Sequence, residues 1–353
     1  MLDQIGVKLP IIQAPMAGVS TPELASEVSN AGALGSIGVG ATDAAGARTM
    51  IDELRARTHR PFNVNVFVHQ SPTPDHIREA AWLDVLRPSF EVFGAKPPQS
   101  LRTIYKSFAD DRDMQALLIK AKPAVVSLHF GLPSANVIRE LKNAGIKLLA
   151  TATSIEEARK IEAAGIDGIV AQGIEAGGHR GMFDPASPDD GLGTVALTRL
   201  LVRECTVPVI AAGGIMDGAG IRSVLDLGAV AAQMGTAFIS CPESAADDAY
   251  RAALMGEAAR HTRMTDAISG RPARALGNRF TALAEALDLS PPDYPIAYDA
   301  GKALNAAAKA QGEFGFGAQW AGQGAPLSRA MPARELVANL MDEYHKAGQS
   351  RAV

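Results

Sequence analysis

Short apolar runs recur along the chain, each closed by Gly, Pro or a polar residue and followed by a segment of helical character. The runs are Pro10–Met16, Ala33–Gly38, Phe62–Val68, Ala124–Phe130, Lys147–Thr153, Gly168–Gln172, Val207–Ala212 and Ala229–Met234. Most are apolar throughout rather than alternating, which predicts parallel strands covered on both faces. Helical patterns fill the gaps at Pro22–Ala31, Asp43–Arg57, Pro133–Ala144, Ser154–Ala164, Val195–Cys205 and Asp217–Leu227. Some open on a capping residue ahead of acids, as Ser154 does before Glu156 and Glu157, and several end at Ala-Gly. Strands and helices in this alternation predict an α/β fold, a (β/α)8 TIM barrel.

Two stretches break the rhythm. Between Val68 and Ala124 the chain is too long for one crossover helix; it holds Trp82 and a polar helix expected near Ser100–Lys120. Beyond Cys241 the pattern turns mostly helical, with Pro-rich breaks at Ser290-Pro291-Pro292 and Tyr294-Pro295. A bare barrel needs about 250 residues, and this chain has 353. The expected organisation is therefore a barrel over 1–241 with an insertion at about 69–123, a mainly helical cap subdomain over 242–331 forming the substrate region, and a C-terminal helix within 332–353 packing back on the barrel.

Composition narrows the function classes. The chain is 47% hydrophobic with a formal net charge of −4, and no basic run with interleaved aromatics suggests a nucleic-acid partner. Cys205 and Cys241 are the only cysteines; they form no disulfide framework and no metal signature, which points to a reducing cytoplasm. The opening MLDQIGVKLP has no basic stretch followed by an apolar one, so no secretory signal is expected, and no apolar run reaches membrane-spanning length.

Chemistry concentrates where barrel strands end. Ala212-Gly213-Gly214 and Gln233-Met234-Gly235-Thr236 close the seventh and eighth runs, where barrels commonly build a phosphate site from backbone amides. Glycines that merely end strands are the plain alternative. Gly38-Val39-Gly40 lacks the third glycine and the acidic partner of a dinucleotide fingerprint. The sixth run leads into Gln172-Gly173-Ile174-Glu175-Ala176-Gly177-Gly178-His179-Arg180-Gly181, which sets one histidine on a glycine-rich turn at the barrel mouth, where it is suited to proton transfer. Gln172 faces inward as a ligand partner, and Glu175 holds the loop. His129, ending the fourth run, is open to two readings, a substrate contact or a structural hydrogen bond.

The segments IIQAPMAG at 11–18, NVNVFV at 63–68, VVSLHFG at 125–131, VAQGIEAGGHRG at 170–181, VIAAGGI at 209–215 and AQMGTAF at 232–238 resemble the nitronate monooxygenase family, formerly called 2-nitropropane dioxygenases. The resemblance implies an FMN-dependent oxidoreductase that converts alkyl nitronates with O2 to carbonyl compounds and nitrite through an anionic flavin semiquinone. It places FMN against Ala14, Pro15, Met16, Asn65, Gln172, Gly177, Gly178, Gly213, Gly214, Gln233, Met234, Gly235 and Thr236. His179 matches the catalytic histidine, expected to hydrogen-bond nitronate oxygens or to act as base on a neutral nitroalkane. Tyr105 with Phe108 and Gln115, and Tyr298 with Lys302 in YPIAYDAGKAL, resemble the class I enzymes. They imply catalytic or binding roles for Tyr105, Tyr298 and Lys302, with Lys302 taking the negative end of a substrate such as propionate 3-nitronate. The wider family includes FMN-dependent NAD(P)H reductases of quinones and enoyl thioesters, which stand as the alternative; a flavin-binding sensor without turnover is a third reading. Oligomeric state and physiological substrate are not encoded in any motif.

Overall fold

A computed structural model describes residues 2–349. Its strands, in chain order, are β1 (Ile11–Gln13), β2 (Gly35–Gly38), β3 (Phe62–Phe67), β4 (Val125–His129), β5 (Lys147–Ala152), β6 (Gly168–Gln172), β7 (Gly178–His179), β8 (Val209–Ala212), β9 (Ala231–Met234), β10 (Thr262–Thr265) and β11 (Ala273–Leu276). All but β7, β10 and β11 form one parallel sheet in the order β2-β3-β4-β5-β6-β8-β9-β1. The ends meet through a parallel bridge between Ile12 and Leu34, with the Gln13 amide donating to the Leu34 carbonyl at 2.9 Å. The eight apolar runs thus close into a TIM-barrel-like α/β fold.

The helices are α1 (Pro22–Asn30), α2 (Ala44–Arg57), α3 (His76–Val92), α4 (Arg112–Ala121), α5 (Ala135–Asn143), α6 (Ile155–Ala163), α7 (Thr194–Glu204), α8 (Gly218–Asp226), α9 (Thr236–Ile239), α10 (Asp248–Leu254), α11 (Arg279–Glu285), α12 (Ile296–Ala310) and α13 (Ala333–Gln349). Side-chain oxygens cap the helices that cross between strands: Thr21 accepts from the Leu24 amide, Asp43 from Gly46, Ser134 from Val137 and Ser154 from Glu157. Each such cap satisfies an amide the helix cannot and is worth about 1 kcal/mol.

Inside the barrel lies an apolar floor of Ile12, Leu34, Val125, Leu149, Val170 and Ile210, joined from below by Leu2 and Val7. Polar residues also point inward. Asn63 donates to Ser36 Oγ and Ser127 Oγ at 3.1 and 2.9 Å, Asn65 donates to Ser127 Oγ at 3.0 Å, and Gln13 accepts from the Ser36 amide at 2.8 Å. Burying these amides without partners would cost free energy, so they brace one another.

The departures from the expected pattern lie outside the barrel. A long helix, α3, occupies the insertion and runs through Pro88, and residues 101–110 carry no helix before α4 begins at Arg112. Trp82, Leu86 and Phe90 of α3 pack with Phe280, Ile296, Ala300 and Leu304, so the insertion and the segment after the barrel share one core. That later segment is not helical throughout. β10 and β11 form an antiparallel hairpin, and β11 pairs with β7, setting Ala273 opposite His179. Helix α13 lies on α1 and α8 through Ala333, Leu336, Val337 and Leu340; residues 350–353 fall outside the described range. Among the described residues, no helix is long and apolar enough to cross a membrane, and no His/Cys/Asp/Glu group could hold a metal.

Candidate active site

The C-terminal ends of the barrel strands surround a cavity of about 710 Å³, within the range of about 300–1,000 Å³ usual for cofactor and small-molecule sites. Ala14, Pro15, Met16, Asn65, Gln172, Gly177, Gly178, Gly213, Gly214, Gln233, Met234, Gly235 and Thr236 all line it, and so do His129, His179, Tyr105, Tyr298 and Lys302. Residues scattered over almost 300 positions of sequence therefore converge on one chamber.

One end of the chamber is a cup of backbone. Gly213 and Gly214 take φ of 120° and 69°, the left-handed region open to glycine. Among the described residues, the amides of Gly213, Gly214, Gly235 and Thr236 donate to no protein acceptor. A third loop, Trp320–Gly324, completes the cup, and its Gly322 amide donates to Thr236 Oγ1 at 3.0 Å. The approach is close: a Cβ on Gly177 would stand 2.5 Å from the Gly322 nitrogen. This loop escaped the sequence reading; its signal is the Gly-Gln-Gly spacing at 322–324. The nearby Glu175 carboxylate is turned away, accepting from the Thr194 amide and hydroxyl at 2.8 Å each. There it serves the N-terminus of α7 and adds no bond to the cup.

The other end is an aromatic cage around His179. The ring lies 5.7 Å from Phe130, 5.4 Å from Tyr294, 6.2 Å from Tyr298 and 5.0 Å from Trp320. Tyr105 stands 5.9 Å from Tyr298, edge to face. Lys302, one turn beyond Tyr298 on α12, lies 5.0 Å over the Tyr105 ring and 5.4 Å over that of Tyr298. Among the described residues Lys302 has no carboxylate partner; Asp299 of the same helix is taken by Arg102 at 3.1 Å. Burial pushes Tyr105 up to about 12 and Tyr298 further, so both present neutral O–H groups near pH 7.

The loop bearing His179 is fixed from several sides. Gln172 donates to the His179 carbonyl at 2.9 Å and accepts from the Gly181 amide at 2.7 Å, so much of its amide is committed to the loop. Arg180, 1% exposed, pairs with Asp189 through two bonds of 2.7 and 3.0 Å and donates to the Gln172 carbonyl at 2.9 Å. His129 donates from Nε2 to the His179 carbonyl at 3.2 Å and accepts at Nδ1 from Thr151 at 3.0 Å; both ring nitrogens are thus engaged within the protein. Gln115 bonds the Phe108 and Ala109 carbonyls at 2.7 and 3.2 Å, bracing the turn after Tyr105, and neither it nor Phe108 lines the cavity.

Residues given no site role in the sequence reading complete the surroundings. Tyr294 and Trp320 line the chamber. Behind them His69 meets Tyr294 edge to face at 5.0 Å, and Arg271 sets its guanidinium 4.2 Å over Phe130. Burial first, and the Arg271 charge next, lower His69 and His129 to about 4. Burial, then His129 and then Arg271, lower His179 to about 3. All three imidazoles are neutral at pH 7.

The nitronate monooxygenase family model matches residues 1–343. The nitronate monooxygenase of Paraburkholderia phytofirmans is 63% identical over 348 residues, covering 98% of this chain and 95% of its own. That of Pseudomonas aeruginosa is 54% identical over 340 residues, covering 96% and 97%. Among solved structures, the nitroalkane oxidase from Streptomyces ansochromogenes superposes with a TM-score of 0.91 at 39% identity, over 99% of each chain. FabK from Thermotoga maritima reaches 0.77 at 30% identity, over 99% of this chain and 97% of its own. The cavity thus belongs to an oxidoreductase, and the chain is a member of the nitronate monooxygenase family.

Proposed function

We propose that the chain is an FMN-dependent enzyme that oxidises alkyl nitronates with O2 to carbonyl compounds and nitrite. The observation that carries this reading is Lys302, which among the described residues has no carboxylate within ion-pair distance and is mounted on two neutral tyrosines beside His179 in the chamber that also holds the amide cup. The cup fits the cofactor: the amides of Gly213, Gly214, Gly235 and Thr236 suit a phosphate dianion, and Ala14–Met16 with Asn65 would hold the flavin ring. When bound, the flavin supplies the redox chemistry, taking electrons from substrate and passing them to O2.

The protein's own part is position and charge. A nitronate is already a stabilised carbanion equivalent, so no C–H bond need be broken for it. Lys302 binds the negative end of a carboxylated nitronate, of which propionate 3-nitronate is the model. Tyr105 and Tyr298 donate hydrogen bonds to the anion, and the aromatic walls exclude water, which strengthens each of these contacts. The greater likeness to a nitroalkane oxidase than to FabK supports this branch of the family.

Anaerobic mixing of the FMN-loaded protein with propionate 3-nitronate should change the flavin absorbance at once, while NADH and NADPH should leave it unchanged. Bleaching by a nicotinamide with silence toward nitronate would move the chain to the NAD(P)H-dependent reductases of quinones or enoyl thioesters. A second check concerns Lys302. Hydrogen bonds to charged groups contribute about 1.5–3 kcal/mol, so Lys302→Met should raise KM for propionate 3-nitronate about tenfold or more. An unchanged KM would remove Lys302 from the substrate site.

A further inference from the structure

The segment Ser269-Gly270-Arg271 lies against His179, and no motif singled it out. Ser269 is fully buried. Its Oγ lies 2.9 Å from His179 Nε2 and 3.2 Å from the Arg271 carbonyl oxygen. A hydroxyl has one proton and a carbonyl has none. The Ser269 proton therefore goes to the Arg271 carbonyl, and Ser269 turns a lone pair toward the imidazole. The neutral ring of His179 must then carry its proton on Nε2. Nδ1 is left with its lone pair; among the described residues it has no protein partner, it is not fully enclosed by protein, and His179 lines the cavity.

The arrangement is rigid. The Ser269 amide donates to the Asp266 carbonyl at 3.1 Å. Gly270 has φ 85°, and a Cβ there would stand 2.2 Å from the Pro292 carbonyl oxygen. The Arg271 guanidinium bonds the Met182 carbonyl and stacks on Phe130. Reversing Ser269 would strip the Arg271 carbonyl of this hydrogen bond, an unfavourable exchange in a buried site. Burial also keeps His179 neutral, its pKa lowered to about 3.

We infer that Ser269 is a positioning residue that holds His179 in the Nε2–H form, so that the cavity-facing Nδ1 accepts a proton or hydrogen bond and cannot donate one to a nitronate oxygen. Donation to the anion then falls to Tyr105, Tyr298 and Lys302, which replaces the expectation that His179 hydrogen-bonds the nitronate. With a neutral nitroalkane the α-carbon–hydrogen bond breaks, its electron pair passes into the nitro group to give the nitronate, and the proton goes to Nδ1 while Nε2–H stays on Ser269. This kinetic consequence rests on the proposed activity; the tautomer does not.

Nitrogen-15 spectra of the FMN-loaded enzyme with labelled histidine test the tautomer directly, the His179 signals being identified by their loss in His179→Asn. Wild type should show a bare Nδ1 and a protonated Nε2 from pH 6 to 8. Ser269→Ala should mix or reverse the two, and Ser269→Thr, which keeps the hydroxyl, should restore them. In parallel, Ser269→Ala should lower kcat/KM for a neutral nitroalkane about tenfold and that for preformed nitronate by less than about threefold, as general-base positioning requires. A protonated Nδ1 in wild type, or a Ser269→Ala spectrum identical to wild type, overturns the inference. Should Ser269→Ala not fold, the wild-type spectrum alone decides. Failure of nitronate to react with wild type would overturn the proposed activity and leave the tautomer result standing.

Discussion

His179→Asn is expected to lower kcat/KM for a neutral nitroalkane by about 10²–10⁴-fold, the usual contribution of a positioned general base, and to affect preformed nitronate far less. Asparagine keeps a polar group in the cage but has no basic nitrogen. Steady-state kinetics on both forms of one substrate make the comparison, and an equal loss on both would rule out the base role. The pH profile carries a second signature. An ordinary histidine, titrating near 6.5, would lose its basic form as pH falls from 8 to 5. His179, lowered to about 3 by burial and by the neighbouring His129 and Arg271, keeps its lone pair throughout. Nitroalkane kcat/KM should therefore stay flat over that interval instead of falling with an apparent pKa near 6.5. The same low proton affinity makes His179 a weak base, so preformed nitronates should react faster than the parent nitroalkanes.

Acid should destabilise the protein above the carboxylate range. His69 and His129 are lowered to about 4 and His179 to about 3. In the unfolded chain each binds a proton below about 6.5, while in the folded chain it resists until near 4 or 3. The unfolded state thus holds more protons throughout that window, and stability falls as pH falls through it. A fully developed difference of one proton is worth about 1.4 kcal/mol per pH unit, so three such groups set an upper limit of roughly 4 kcal/mol per pH unit, approached near pH 5 and smaller toward pH 6 and pH 4. Against an ordinary domain stability of about 5–15 kcal/mol, a slope of even half that limit is a large effect. Denaturant unfolding of the FMN-loaded protein at several pH values measures the slope, and a value below about 1 kcal/mol per pH unit would contradict it. His69→Gln should reduce the slope by about a third, because that imidazole touches Tyr294 and Phe130 and does not line the cavity.

The barrel was legible because its strands are buried on both faces, and burial writes itself as uninterrupted apolar sequence. β6, buried along its whole length at Gly168–Gln172, is the clearest instance. Helix α3 was hidden by Pro88, which reads as a break, and by an apolar face that is matched by distant residues such as Phe280 of α11 and Ile296, Ala300 and Leu304 of α12. The β10–β11 hairpin was hidden because Thr262–Thr265 has no buried residue to mark a core face, while β11 is identified by pairing with β7 rather than by its own pattern.

At the site, glycines at strand ends and a histidine on a glycine turn were visible locally. Ser269, Arg271, Tyr294 and Trp320 were not, since each reaches the cage through tertiary contacts that no spacing encodes. One signal was available. The chain has only five tyrosines, and Tyr105, Tyr250, Tyr294 and Tyr298 all line the cavity. In a core built mainly from aliphatic residues, scarce aromatics gathered late in the sequence mark a wall with a purpose other than packing.

The cup joins Gly213, Gly214, Gly235 and Thr236 to a loop that ends at Gly324, and β7 is held by β11. During synthesis, the strands through β9 leave the ribosome while most of the remaining chain is still being made. They can pair before that segment appears, but the amide cup and the support of His179 cannot exist until Gly324 has emerged. A chain stalled before that point would carry eight barrel strands and a mouth without a rim. A ligand held by this cup therefore waits on the segment that carries Gly324, long after the strands that line the cavity are made.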